Sequence, residues 1–300
     1  MKHLIYSILF LLVGIFAVDR IGGIIMHEIN TNTQDVLGPK FKYIHDDICE
    51  DIVMLGASRC HHHYVSSTIG DSLDMSVYNC GMQGSENIFS HYLTLCLILE
   101  RYTPKVICLE VMEADFNYKK DPFAKLSYFA PYFGYSESAD SVFRESGLYW
   151  KYTISHLYRY NAKAVSNIAG LFVSRQSNDD HGYLPAKKSS VVLGELKSSK
   201  TITETDSRKI TYLHRFAEKC RNNNIRLIFT ISPRYSIVDS TYYNILKNFA
   251  HTENIPVLDY HTSGLFHSEP EFFRDALHLN DKGAKHFSSI FASDLKRTLQ

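Results

Sequence analysis

The chain has no surplus of charge, since Lys and Arg number 32 and Asp and Glu also number 32. Without a global field, nucleic acid is not an expected partner, and a charged ligand has to be met by a local patch. Tryptophan is nearly missing, with one residue against 20 Tyr and 18 Phe, so the aromatic load reads mainly as packing. No CxxC motif occurs among Cys49, Cys60, Cys80, Cys96, Cys108 and Cys220. Six thiols would suit disulfides in an exported body, but fifteen full pairings stay open. Cys96 and Cys108 sit in apolar runs and read as buried thiols. Internal repeats and low-complexity tracts are absent, and 300 residues with 45% hydrophobic content suffice for one domain carrying an insertion.

One long apolar run is present. After Lys2 and His3, Leu4 to Val18 is broken only by Tyr6, Ser7 and Gly14, and Asp19-Arg20 follows. A bilayer-spanning helix needs about 20 apolar residues, a length reached when Ile21 to Met26 are included. No Ala-x-Ala cleavage site stands near Val18. The favoured reading of residues 1–26 is therefore an uncleaved signal-anchor, with the Asp-Arg pair at the interface or facing a partner. The basic N-terminus places that end in the cytoplasm and the body on the extracytoplasmic side, periplasmic or outer.

Residues 27–50 form a polar connector. Beyond it, short strands rich in Val, Ile, Leu and Phe alternate with helical periodicity, the pattern of a parallel sheet covered on both faces. The expected strands are Asp51–Leu55, Met75–Asn79, Lys105–Leu109, Ile225–Ser232 and Ile255–Tyr260, and the clearest helices Asn87–Arg101, Ser207–Asn222 and Gly283–Leu299. More than a hundred residues separate the third and fourth strands, so 118–205 is an insertion. Its first part is aromatic (Tyr128, Phe129, Tyr132, Phe133, Trp150, Tyr152) and predicts helices leaning over the sheet, whereas Gln176–Gly182 and Lys187–Lys200 predict polar loop.

Three short motifs fall where a parallel sheet puts its chemistry, at the carboxyl ends of its strands. Gly56-Ala57-Ser58-Arg59 places a serine at a strand-to-helix turn, where helix amides lend positive potential. Asp275-Ala276-Leu277-His278-Leu279-Asn280-Asp281-Lys282-Gly283 spaces a carboxylate and an imidazole to hydrogen-bond, which fixes the tautomer and leaves the other ring nitrogen to accept a serine proton. Asn79-Cys80-Gly81-Met82-Gln83-Gly84 follows the second strand, and Gly84 offers an unshielded N–H to an oxyanion. Cys60-His61-His62-His63 is no metal site, because neighbouring residues diverge by about 100° on a helix; His61 or His62 is the expected substrate contact. Arg59 and Arg234 are candidates to hold a carboxylate or phosphate, and both are also readable as surface ion pairs.

Together these motifs resemble blocks one, two and five of the SGNH (GDSL-like) hydrolase superfamily, over roughly residues 51–110 and 207–299 of a domain running from 51 to 300. The resemblance implies a flavodoxin-like three-layer α/β/α fold. It also implies a Ser58, His278, Asp275 triad with Ser58 and Gly84 in the oxyanion hole, Asn79, Arg59, His61 and Arg234 near substrate, and no cofactor. Such a site would form an acyl-enzyme on an acylated glycan or small acyl ester. The anchor and insertion are similar to a branch of cell-envelope acyltransferases, which implies a multi-spanning membrane acyl-transfer protein as partner. One motif departs. The family's Gly-x-Asn after the third strand is replaced by Leu109-Glu110-Val111-Met112-Glu113-Ala114-Asp115, leaving Asn117 as a late substitute. That departure motivates the alternative, a degenerate member binding a glycan or membrane partner without turnover.

Overall fold

The computed structural model describes residues 1–33, 37–85, 87–172, 180–186, 204–235, 241–267 and 269–300. Among them β1 (Ile52–Leu55), β2 (Val77–Asn79), β3 (Val106–Glu110), β4 (Arg226–Ile231) and β5 (Val257–Asp259) form one parallel sheet ordered β2-β1-β3-β4-β5. Ile52 pairs with Val77 on one side and Val106 on the other, and Phe229 pairs with Val257. Side chains alternate faces along a strand. Val53 and Leu55 accordingly join one core cluster, and Ile52 and Met54 the other. Both faces are dry, which explains why the strands read as unbroken apolar runs.

The first face is covered by α2 (Leu37–Asp46), α5 (Ile88–Leu99), α9 (Ser207–Asn222) and α10 (Thr241–Glu253). The second carries α3 (Ser58–His63), α4 (Ser66–Leu73) and α11 (Asp281–Leu299). This is the expected α/β three-layer architecture. Polar caps set the helix starts: Asn87 accepts from Ser90 N–H, Asp206 from Arg208 N–H and Asn280 from Gly283 N–H. The edge strands are shorter than expected, β2 starting at Val77 and β5 ending at Asp259.

Between β3 and α9 the described part of the insertion forms α6 (Glu137–Glu145), α7 (Tyr149–Ile154), α8 (Ala164–Gly170) and several 3-10 turns. It packs on α5, which is buried from Ile88 to Ile98 and therefore needs no polar stripe. Phe129, Tyr132, Phe133, Phe143 and Tyr152 are all buried there, so the aromatic cluster is core rather than an open face. The polar segments expected at 176–182 and 187–200 lie outside the described residues except for 180–182. Residues 180–186 return to the β2 side, where His181 C=O accepts from Asn79 N–H at 2.9 Å.

The N-terminal helix α1 (Lys2–Asn32) is long and apolar enough to cross a membrane. It continues well past residue 26, and the connector is itself largely helical. The apolar side chains from Leu4 to Ile25 stand exposed. The pair at 19–20 faces this chain's own insertion: the Asp19 carboxylate accepts from Ser155 Oγ–H at 2.5 Å, His156 N–H at 2.9 Å and Leu157 N–H at 3.2 Å. Gly23 makes the close approach possible, since a Cβ there would lie 2.4 Å from His156 Cβ. Further along, Asn167 donates from Nδ2 to Asn30 Oδ1 at 2.9 Å.

Candidate active site

β1 is followed by Gly56, where a Cβ would meet Cys60 Cβ at 2.7 Å and Glu110 Cβ at 2.9 Å at a φ of +153°. Only glycine lets the chain turn so close to β3, and the turn delivers half-exposed Ser58 as the first residue of α3. The other half of the site is folded by its own aspartate. Asp275 Oδ1 accepts from Leu277 N–H at 2.8 Å and His278 N–H at 3.0 Å, and Arg274 N–H closes the turn on His278 C=O at 2.8 Å. His278 Nδ1 then lies 2.9 and 3.0 Å from the two Asp275 oxygens, and its Nε2 lies 2.8 Å from Ser58 Oγ. A carboxylate can only accept, so Nδ1 carries the proton and Nε2 presents a lone pair to the serine hydroxyl. Burial pushes Asp275 up, but the hydrogen bonds from His278 and the Leu277 N–H outweigh it and hold the carboxyl at about 2. The aspartate is ionised at neutral pH. Ser58, His278 and Asp275, expected from separate motifs, form one connected chain.

A further histidine supports this chain. His63 Nε2 accepts from Leu279 N–H at 2.9 Å, and His63 Nδ1 lies 2.8 Å from Ser232 Oγ, which donates to Glu110 Oε1 at 2.9 Å. The directions agree only for a neutral imidazole protonated on Nδ1. Burial, assisted by nearby His278 and Arg59, holds His63 well below its usual range. Glu110 also accepts from Tyr64 OH at 2.5 Å and from the Ser232 N–H. A relay from the end of β3 through the end of β4 to α3 thus fixes the residue after His278. Sequence reasoning passed over His63 within the histidine string, and the signal available was its place as the last residue of the short helix that Ser58 begins.

The oxyanion side is less complete. The N–H groups of Ser58 and Gly84 take no acceptor among the described residues, and Gly84 sits partly exposed at φ +86°. Gly81 serves otherwise: its N–H donates to Asn79 Oδ1 at 2.8 Å, and a Cβ on it would lie 2.3 Å from His61 N. Asn79, expected near substrate, is instead fully buried. Its Nδ2 donates to Cys60 C=O at 2.7 Å and Tyr64 C=O at 2.9 Å, tying β2 to α3. The backbone of Asn117, the late substitute for the missing asparagine, bridges Thr205 and offers its C=O to Lys209 Nζ at 2.6 Å, with its side-chain Oδ1 buried.

Both candidate arginines are held by carboxylates of this chain. Arg59, wholly buried, pairs with Glu110 Oε1 at 3.0 Å and donates to Val111 C=O at 2.8 Å. Burial alone would lower its guanidinium, but Glu110, with Glu113 beyond it, holds it above the ordinary value. Arg234 pairs with Glu113, whose carboxyl burial would raise but Arg59 and Arg234 keep below the usual range. Neither arginine is a surface ion pair or an open anion site. The β3 exit, where the resemblance implies an amide donor, is built as two buried ion pairs.

His61 is likewise buried, its ring stacked on His62 at 4.8 Å and its C=O taking Leu184 N–H at 3.2 Å, so it does not stand open to substrate. His62 Nδ1 lies 2.7 Å from Leu184 C=O and its ring meets His278 edge-on at 6.0 Å. His61 and His62 thus stack and share Leu184, whereas His63 turns away to Ser232 and Leu279. The six cysteines are unpaired, and Cys60, Cys80, Cys96, Cys108 and Cys220 are buried thiols raised by burial.

No family model and no curated protein sequence matches the chain. Among solved structures it is similar to an acetyl xylan esterase, at 14% identity over 81% of this chain and 99% of that one with a TM-score of 0.42. It is also similar to a protein described as lipolytic, of the G-D-S-L family, from Desulfitobacterium hafniense, at 13% identity over 81% of this chain and 98% of that one with a TM-score of 0.42. A third similar structure is described as an acylhydrolase from Bacteroides fragilis, at 12% identity over 90% of this chain and 98% of that one with a TM-score of 0.41.

Proposed function

We propose that the chain is a membrane-anchored serine acyl-ester enzyme, a hydrolase or O-acyltransferase acting on acylated glycans of the cell envelope. The observation that carries this is the unbroken path from Ser58 Oγ to His278 Nε2 at 2.8 Å and from His278 Nδ1 to Asp275 at 2.9 Å. Ser58 Oγ attacks the acyl carbonyl while its proton passes to His278 Nε2, and Asp275 stabilises the imidazolium. The N–H groups of Ser58 and Gly84 receive the oxyanion. The intermediate collapses as His278 returns the proton to the departing alkoxide, leaving Ser58 acylated. Water or a sugar hydroxyl then gives its proton to His278 and attacks the acyl carbon, and His278 returns that proton to Ser58 Oγ as the acyl–Oγ bond breaks. This reading includes a partner in the membrane that hands over acyl groups, and a body on the extracytoplasmic side, the latter from Lys2 and His3 ahead of the apolar run.

A second reading, binding without turnover, is favoured by the two ion pairs that occupy the β3 exit. An absent oxyanion donor typically costs about 10²–10³ in kcat, which slows a triad without abolishing it. Incubation with p-nitrophenyl acetate, followed by intact-mass analysis, separates the readings. A mass gain of one acetyl group, lost in Ser58→Ala, is expected; a folded protein that gains none sinks the enzymatic reading.

A further inference from the structure

The insertion ends in an apolar rim beside α1. Trp150 and Ile154 on α7 are 69% and 71% exposed, and Val165, Ile168 and Phe172 on and after α8 are 84%, 46% and 84% exposed. Asn167 of α8 is turned inward to Asn30 of α1, and the hydroxyl of exposed Ser166 bonds back to Lys163 C=O, which leaves Val165 and Ile168 outward. No described residue covers this rim, which is joined to α1 where Leu157 and His156 approach Gly22 and Gly23 and Asn167 meets Asn30, and Ile21, Ile24 and Ile25 of α1 are exposed as well.

Length fixes the depth of the rim if α1 spans, the reading on which this inference rests. The run Leu4–Val18 covers fifteen residues, or about 22 Å at 1.5 Å each, against about 30 Å of hydrocarbon. The missing length of about 8 Å has to come from roughly the next five residues, Asp19–Gly23. Those residues are clasped by the insertion: Asp19 by Ser155, His156 and Leu157, and Arg20 by Ile154 C=O at 3.4 Å. Asp19 thus reaches hydrocarbon depth with its oxygens satisfied, and it takes the rim with it. Interfacial helices bury their apolar faces by about 5–10 Å, which agrees with the shortfall. Exposed Lys151 beside Trp150 suits phosphate headgroups.

We propose that this rim is a second, monotopic lipid contact, seated in the bilayer interface around the Asp19–Gly23 stretch of α1. Trp150 is the only tryptophan of the chain, so its fluorescence reports on the rim directly. The full chain would be reconstituted in vesicles of phosphatidylcholine and phosphatidylglycerol with bromine at defined acyl positions. Expected is blue-shifted emission quenched severalfold, more by bromine near the glycerol end than near the methyl end, and less in the Val165→Asp, Phe172→Asp double variant with ester hydrolysis in solution unchanged. Red-shifted, unquenched emission from protein that resists alkaline extraction overturns the proposal, because the rim then faces water. Blue-shifted, unquenched emission also overturns it, by showing a second copy or another protein on the rim. Release of the chain by alkaline extraction defeats the anchor reading and the rim together, while leaving the Ser58 chemistry untouched.

Discussion

The exits of β1 and β3 lie side by side at the point where the sheet order reverses, yet they are built for opposite ends. The β1 exit leads to Ser58, half-exposed and bonded to a histidine that can take its proton. The β3 exit leads to Glu110, wholly buried and saturated by Arg59, Tyr64 and Ser232. Reactivity needs one unfinished bond, whereas both oxygens of the Glu110 carboxylate are taken up by the scaffold beside it. The second exit holds the first in place, because Glu110 grips Arg59, the residue after Ser58, and reaches His278 through Ser232 and His63.

Four variants break or sharpen this contrast. Asp275→Asn removes the group that fixes the His278 tautomer and should lower kcat on p-nitrophenyl acetate by about 10⁴-fold with folding intact; a loss under tenfold would show that Asp275 does not orient the histidine. Glu110→Ala strands a buried guanidinium and should cost about 3–5 kcal/mol in urea unfolding, whereas a value near zero would mean that Arg59 finds water. His63→Gln tests the relay by pH. Native His63 is neutral, with its pKa depressed by burial, while an unfolded histidine protonates near 6.5. The unfolded state therefore gains a proton as pH falls through that value, and native stability declines by up to about 1.4 kcal/mol per pH unit for this residue. Melting curves between pH 7 and pH 5 should show a shallower decline in the variant, and an equal slope would place the charge elsewhere. Asn117→Ala should leave kcat unchanged, and a large fall would restore this residue to the oxyanion side.

The hydrogen-bonded chain of Ser58, His278 and Asp275 was legible because each part is local: a glycine before a serine at a strand end, and an aspartate three residues before a histidine that its own loop amides fold back. The fold was legible through apolar runs of strand length separated by helical periodicity. What stayed hidden depends on partners far along the chain. Arg59 and Arg234 looked like anion binders because Glu110 and Glu113 lie 51 and 121 positions away, and only the register of β1, β3 and β4 brings them together. Asn79 looked like a site residue because the carbonyls of Cys60 and Tyr64 that use up its amide are set by how α3 crosses β2. The aromatic stretch read as helices leaning over the sheet, and its rings complete the core around α5, which their spacing alone does not specify.

The clasp at Asp19 also governs how such a catalyst would search for substrate. A body on a slack tether sweeps a hemisphere and meets targets at many heights. Here three hydrogen bonds to Asp19 and the Asn30–Asn167 bond join helix and body without slack. For a helix that crosses a bilayer, this joint makes the chain a ruler: Ser58 patrols a plane at constant altitude, and the layer in which an ester can be met is selected before any side chain has touched it.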